Sequence, residues 1–288
     1  MKKSQWISIG IALLAVIIIF FFARTTPPKK TIVQESHDEH DGHDHGPAAA
    51  AYTSDTILAK AREHLNTEQL NRLAQLEASI TRGDVKTQQL DVYHQLSHFW
   101  GDSMGIFAPY AWYEAEAARL ENSEKTLTFA ARLFLENFQE EQNPSLRQWE
   151  ALQAKDLFER SLKLNPANDS ATVGIGETYL FGGISDQPMT GINLIREVVQ
   201  KDSTNVYAQM ALAKGAMVSG QIDRAVDRLV LVNRIDSMNV EAILMLAEIF
   251  ERKQDKKGAA DWYEKSLGAI SREDVKAEIR KRITELRK

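Results

Sequence analysis

Beyond residue 53, hydrophobic and polar positions follow a helical rhythm. In "NTEQLNRLAQLEASITRGD", Leu70, Leu73, Leu76 and Ile80 fall on one side, with Asn66 or Thr67 placed to cap the start. "GDVKTQQLDVYHQLSHFWGD" and "GIFAPYAWYEAEAARLEN" read as a further hairpin, with Pro109 in the first turn of its second helix. At the far end, Val275, Ile279, Ile283 and Leu286 form one stripe on a helix otherwise covered by Arg, Lys and Glu. Ser271 and Asp274 give that helix a Ser-x-x-Asp start. The opposite end breaks the rhythm. "WISIGIALLAVIIIFFFA", Trp6 to Ala23, is uncharged throughout. As a helix it spans roughly 27 Å, near the thickness of bilayer hydrocarbon.

The pattern divides the chain into 1–5, a short cytoplasmic tail; 6–23, a transmembrane signal anchor; and 24–53, a linker rich in His, Asp and Ala. It continues with 54–122, divergent helical hairpins; 123–270, repeated helix pairs; and 271–288, a capping helix. A cleaved signal peptide is the rival reading of 6–23, but "FFFART" is a poor small-x-small cleavage site. Charge flanks are ambiguous, with Lys2 and Lys3 before the run and Arg24, Lys29 and Lys30 after it. The short basic N-terminus favours the tail inside and the bulk outside the cytoplasm. Pro27-Pro28 opens a linker that has too little apolar content to bury a core.

Self-comparison at a spacing of 34 residues pairs Asp202, Ser203, Asn205 and Val206 with Asp236, Ser237, Asn239 and Val240. It also pairs Ala208, Leu212, Ala213 and Ala225 with Ala242, Leu246, Ala247 and Ala259. Two antiparallel helices that cross closely need a small side chain on each. Ala213 with Ala225 and Ala247 with Ala259 supply them, while Leu212, Leu229, Leu246 and Tyr263 fill the surrounding space. The register extends backwards. Gly176 takes a small position, and an insertion within "GGISDQPM" moves its partner to Gly191. One unit earlier, Ala131 and Phe134 pair with Ala154 and Phe158, ahead of the Asn165-Pro166 exit. The loop of that unit is expected at about 139–145.

This period, with small residues eight into the first helix and twelve further on, resembles the tetratricopeptide repeat, TPR. The resemblance covers about half the chain, from 124 to 270. It implies an all-α helical solenoid whose first helices line a concave, partner-binding face. Carried over by register, that face presents Val173, Glu177 and Leu180, then Tyr207, Met210, Lys214 and Met217, then Leu244, Glu248 and Glu251. Methionine-rich apolar surface rimmed by charge suits varied peptides. The Lys/Asn set with which some family members clamp a C-terminal carboxylate is absent, which argues against the Hsp70/Hsp90 co-chaperone type. The alternative is that this face packs against the chain's own N-terminal helices.

Composition narrows the chemistry. A net charge of −5 disfavours nucleic acid as a partner. The absence of cysteine removes disulfides, thiolate metal sites and thiol nucleophiles. No phosphate-binding glycine loop, Gly-x-Ser-x-Gly or His-Glu-x-x-His occurs. Gly174 and Gly176 sit within a helix, where close packing explains them. His64, His94 and His98 read as ordinary helix positions, and Trp100, Tyr110, Trp112 and Tyr113 as packing residues. The segment "HDEHDGHDHG" stands apart. His37, His40, His43 and His45, with Asp38, Asp41 and Asp44, have the donors for weak binding of zinc, copper or nickel, in a linker that imposes no fixed geometry.

The sequence therefore points to a non-catalytic, membrane-anchored adaptor for protein or peptide partners, without a cofactor, at a bacterial inner membrane with its bulk in the periplasm. Its plan resembles envelope TPR proteins that assist the translocon or hold apo-cytochrome during cytochrome c assembly. Metal handling by the histidine run is the alternative from a different class.

Overall fold

The computed structural model describes residues 52–82, 85–185 and 187–288. The apolar run 6–23 and the histidine-rich linker lie outside them. The chain divides into two units, 1–47 and 48–288, and all described residues belong to the second. Among the described residues, no helix is long and apolar enough to cross a membrane.

The described residues form thirteen α-helices: α1 (Ser54–Arg62), α2 (Thr67–Arg82), α3 (Lys86–His98), α4 (Phe107–Glu121), α5 (Glu124–Glu140), α6 (Pro144–Leu164), α7 (Asp169–Phe181), α8 (Pro188–Lys201), α9 (Val206–Val218), α10 (Ile222–Ile235), α11 (Val240–Arg252), α12 (Lys256–Ala269) and α13 (Glu273–Leu286). A π-helical turn, Phe99–Ser103, links α3 to α4. Antiparallel pairs α3/α4, α5/α6, α7/α8, α9/α10 and α11/α12 stack in order, and α13 packs on α12.

Local signals place the boundaries. Asn168, Asn205 and Asn239 each cap a first helix, the Oδ1 accepting from the amide three residues on at 2.9 Å. Asn66 and Gln69 cap α2 reciprocally, Asn66 Oδ1 accepting from the Gln69 amide and Gln69 Oε1 from the Asn66 amide. Pro144 and Pro188 stand in the first turns of α6 and α8, where a missing N–H costs nothing. Between α9 and α10 the turn needs a left-handed residue, supplied by Gly220 at φ 73°. Thirty-four residues later the same position holds Gln254 at φ 63°.

The small-residue crossings are present. Ala131, Ala154, Ala213, Ala225, Ala247 and Ala259 have no exposed surface. Gly176 and Gly191 approach backbone to backbone: a Cβ on Gly191 would lie 2.3 Å from the Gly176 carbonyl oxygen. Phe134, Phe158, Leu229 and Leu246 fill the space around these contacts. The N-terminal aromatics are structural too. Trp100 is fully buried and stacks edge-on to Phe99, with ring centroids 5.3 Å apart, while Trp112 meets Trp149 across α4 and α6.

Three local expectations are corrected. The turn expected at 139–145 is only 141–143, because α5 and α6 run on to 17 and 21 residues. Leu70 does not join the stripe of Leu73, Leu76 and Ile80, and is exposed. Ser271 does not cap α13. Its N-cap is Arg272, with no side-chain cap bond, and the Arg272 guanidinium pairs with Asp274 instead. The stripe itself does seal the end: Ile279, Ile283 and Leu286 are buried against Ala259 and Ala260.

Candidate partner-binding groove

Successive first helices α5, α7, α9 and α11 turn one side towards a common groove of about 410 Å³. Arg132, Leu135, Glu136 and Gln139 form an i, i+3, i+4, i+7 stripe on α5. Opposite stand Tyr207, Met210 and Lys214 of α9, with Glu241 of α11 beyond them and Glu177 of α7 at the floor.

Glu177 is 1% exposed, and its Oε2 accepts the Tyr207 hydroxyl at 2.5 Å. Burial pushes the Glu177 carboxyl up, against the hydrogen bond and the nearby Lys214. Burial, reinforced by Glu177, likewise pushes the Tyr207 phenol up, so this hydroxyl stays a donor. The Arg132 guanidinium lies 5.3 Å over the Tyr207 ring. Lys214 reaches Glu241 at 2.7 Å, an ion pair between consecutive units. Arg132, Glu177, Lys214 and Glu248 share one register position, immediately after the small residue, and alternate in charge. The groove thus combines an apolar wall, Leu135 with Met210, and mixed donors and acceptors at its edges. None of its lining residues is Ser, Thr, Cys or His.

The structure gathers Glu177, Tyr207, Met210 and Lys214 of the expected face and separates the rest. Val173 has no exposed surface and packs with Ile195 and Val198 of α8. Leu180 also faces that cluster. Met217 packs among Met210, Ala213 and Ile249. Met210 borders the groove but is only 5% exposed, so it is wall rather than free surface. Leu244 packs towards α12 and α13. Glu248 and Glu251 line a second, shallow cavity of about 430 Å³ with Tyr263 and Arg282, where Arg282 pairs with Glu251.

The α5 stripe and Glu241 are absent from the face read out of the sequence. The signal was available: Ala131 stands in register with Gly176 and Ala213, which sets Arg132 beside Glu177 and Lys214. His37, His40, His43, His45, Asp38, Asp41 and Asp44 lie outside the described residues. Among the described residues, no group of three potential ligands is arranged to hold a metal. His94 instead approaches Glu114 and His98 pairs with Asp102.

No protein-family model and no curated protein matches the chain. Solved structures with a likeness include residues 41 to the end of MamA from Desulfovibrio magneticus RS-1 (21% identity, TM-score 0.42, 65% of this chain and 96% of that one). Another is YrrB, described as a TPR protein with an unusual peptide-binding site (13% identity, TM-score 0.39, 72% and 97%). A third is a tetratricopeptide repeat protein from Parabacteroides merdae (13% identity, TM-score 0.38, 80% and 98%). The helix-pair repeat of this chain rests on its own register and crossings, independently of these likenesses.

Proposed function

We propose that the protein is a non-catalytic, TPR-like adaptor that holds an extended peptide segment of a partner in the groove between α5 and α9. The convergence of four first helices on one groove with a buried Glu177–Tyr207 floor carries this reading. A peptide backbone needs donors and acceptors wherever it leaves water, and Arg132, Gln139, Lys214 and Asn239 provide them around apolar Leu135 and Met210. The alternating charges favour a segment that itself carries both signs. In the fuller form of this proposal, Trp6–Ala23 anchors the protein at a bacterial inner membrane and the repeats work in the periplasm as an assembly factor.

The test is selection of peptides from a random displayed library on the full chain, followed by titration of the selected sequences. Arg132→Gln and Lys214→Gln should each weaken binding at least roughly tenfold while stability to thermal unfolding falls by no more than about 1 kcal/mol, since both side chains are at least partly exposed and each substitution removes only a surface-type pairing. Selected peptides that bind both variants as well as the wild type would place recognition elsewhere. The anchor is tested separately: a C-terminal alkaline phosphatase fusion should be active and should stay with membranes after a carbonate wash. An active cytoplasmic reporter at the same position would reverse the topology.

A further inference from the structure

Helix α9 carries a second, unrelated arrangement on its other side. At about 100° per residue, Tyr207, Met210 and Lys214 face the groove, whereas Leu212, Gly215, Ala216 and Ser219 form the opposite stripe. That stripe floors a cavity of about 240 Å³ walled by α8 and α10. Arg196 enters it from α8, and Arg224 and Arg228 enter from successive turns of α10. No acidic residue lines it.

Three guanidiniums in one small cavity repel one another unless an anion joins them. Here the protein does not supply it. Arg228 Nη1 donates to Gln209 Oε1 at 2.6 Å, and Gln209 is itself held by its Nε2 donating to the Ser203 carbonyl. Arg224 Nη1 donates to Gln221 Oε1 at 2.6 Å. Neutral amides thus aim two guanidiniums without neutralising them. Arg196 makes no hydrogen bond or ion pair among the described residues. Burial, then the like charges of Arg196 and Arg224, hold the Arg228 guanidinium below its ordinary value, so the three positive charges feel one another. Arginines elsewhere in the chain, such as Arg62, Arg119, Arg160 and Arg282, reach carboxylates. We propose that the cavity between α8 and α10 is a phosphate-binding site, in which Arg196, Arg224 and Arg228 grip a phosphate monoester. Guanidinium forks match phosphate oxygens two at a time, and the apolar floor of Ile192, Leu212 and Ala216 leaves room for a small organic group.

The test uses the full chain in a non-ionic, phosphate-free detergent, titrated by calorimetry with inorganic phosphate, phosphoserine and a soluble short-chain phosphatidic acid. These arms separate a free ion, a side-chain ester and a lipid headgroup. At least one should bind saturably, and Arg196→Gln and Arg224→Gln, both at exposed positions, should each weaken it roughly tenfold or more. Thermal unfolding adds a signature that a merely structural role would not give. Without phosphate, Arg196→Gln should melt at or above the wild type, because it removes a like charge; the ligand should then raise the wild-type midpoint but not that of the variant. Absence of saturable binding in all three arms, or equal binding by wild type and both variants, would overturn the proposal.

Discussion

Glu150 offers the most direct measurement of how this fold handles a buried charge. It lies in α6 with no exposed surface, and both carboxylate oxygens accept from Asn137 Nδ2, at 2.9 and 3.0 Å. Burial raises its pKa from 4.5 to about 7, against the pull of the Asn137 bond, with Glu141 adding a little. The folded state therefore holds the proton more tightly than the unfolded state does. The stability this gives is complete below about pH 4.5, falls as pH rises towards about 7, and is absent above it. At about 1.4 kcal/mol for each tenfold in proton affinity, the ionised carboxylate costs roughly 3 kcal/mol. Glu150→Gln keeps the shape and still accepts from Asn137. Urea unfolding followed by circular dichroism, at pH 4, 5.5, 7 and 8.5, should show the variant close to wild type at pH 4. At pH 8.5 it should be more stable by up to about 3 kcal/mol. A variant that is less stable than wild type at pH 8.5, or a difference that ignores pH, would refute the reasoning.

Other perturbations test the repeat itself. Gly191→Ala drives a methyl against the Gly176 carbonyl, a backbone atom that cannot turn aside, and should cost about 1–3 kcal/mol in thermal unfolding despite the better helix propensity of alanine. An unchanged midpoint would contradict the crossing. Gln254→Gly should stabilise by up to about 1 kcal/mol, because a left-handed backbone is strained for glutamine, and Gly220→Ala should lose a comparable amount at the equivalent turn. Shifts of the same sign in the two melts would mean that these turns are not equivalent. Tyr207→Phe strips a buried carboxyl of its hydrogen bond and should cost about 1–3 kcal/mol, less in the background of Glu177→Gln; simple additivity in that cycle would show that the two side chains are not coupled.

The repeats were legible in the sequence because their markers are local: a capping Asn, a small residue at the crossing and a large one after it. The exposed face of the first helices was not. A middle helix of a stacked array touches its own partner and both neighbouring units, so nearly its whole circumference is buried. Neither α9, "VYAQMALAKGAMV", nor α7, "DSATVGIGETYLF", has a clear polar stripe by which to find solvent, which is why Met210 and Val173 read as surface and are wall and core. Lys214, the one charged residue in α9, does mark the groove. The N-terminal hairpins lack the repeat markers, and there the alternation of Leu and polar residues misplaced Leu70. The short turn 141–143 escaped detection because Asn143-Pro144, which starts α6, resembles a loop signal as much as a helix start.

The capping asparagines are alike in sequence but not in what their second atom does. Asn168 Nδ2 also donates to Glu124 Oε1 at 2.7 Å and reaches the Thr128 and Ser161 hydroxyls, both at 3.2 Å, so one side chain laces α5, α6 and α7 together. Asn205 has no such cross-link among its hydrogen bonds, and Asn239 Nδ2 turns back to Asp236 of the preceding turn. Hydrogen bonds weaken steeply when bent or stretched, whereas an ion pair such as Lys214–Glu241 depends mainly on distance. The two joins therefore differ in kind: α7 is tied to α5 and α6 through its cap, whereas the α11/α12 unit is tied to the α9/α10 unit through lysines, Lys214–Glu241, Lys253–Asp223 and Lys265–Asn233. Salt, which screens exposed ion pairs, would loosen the second join more than the first.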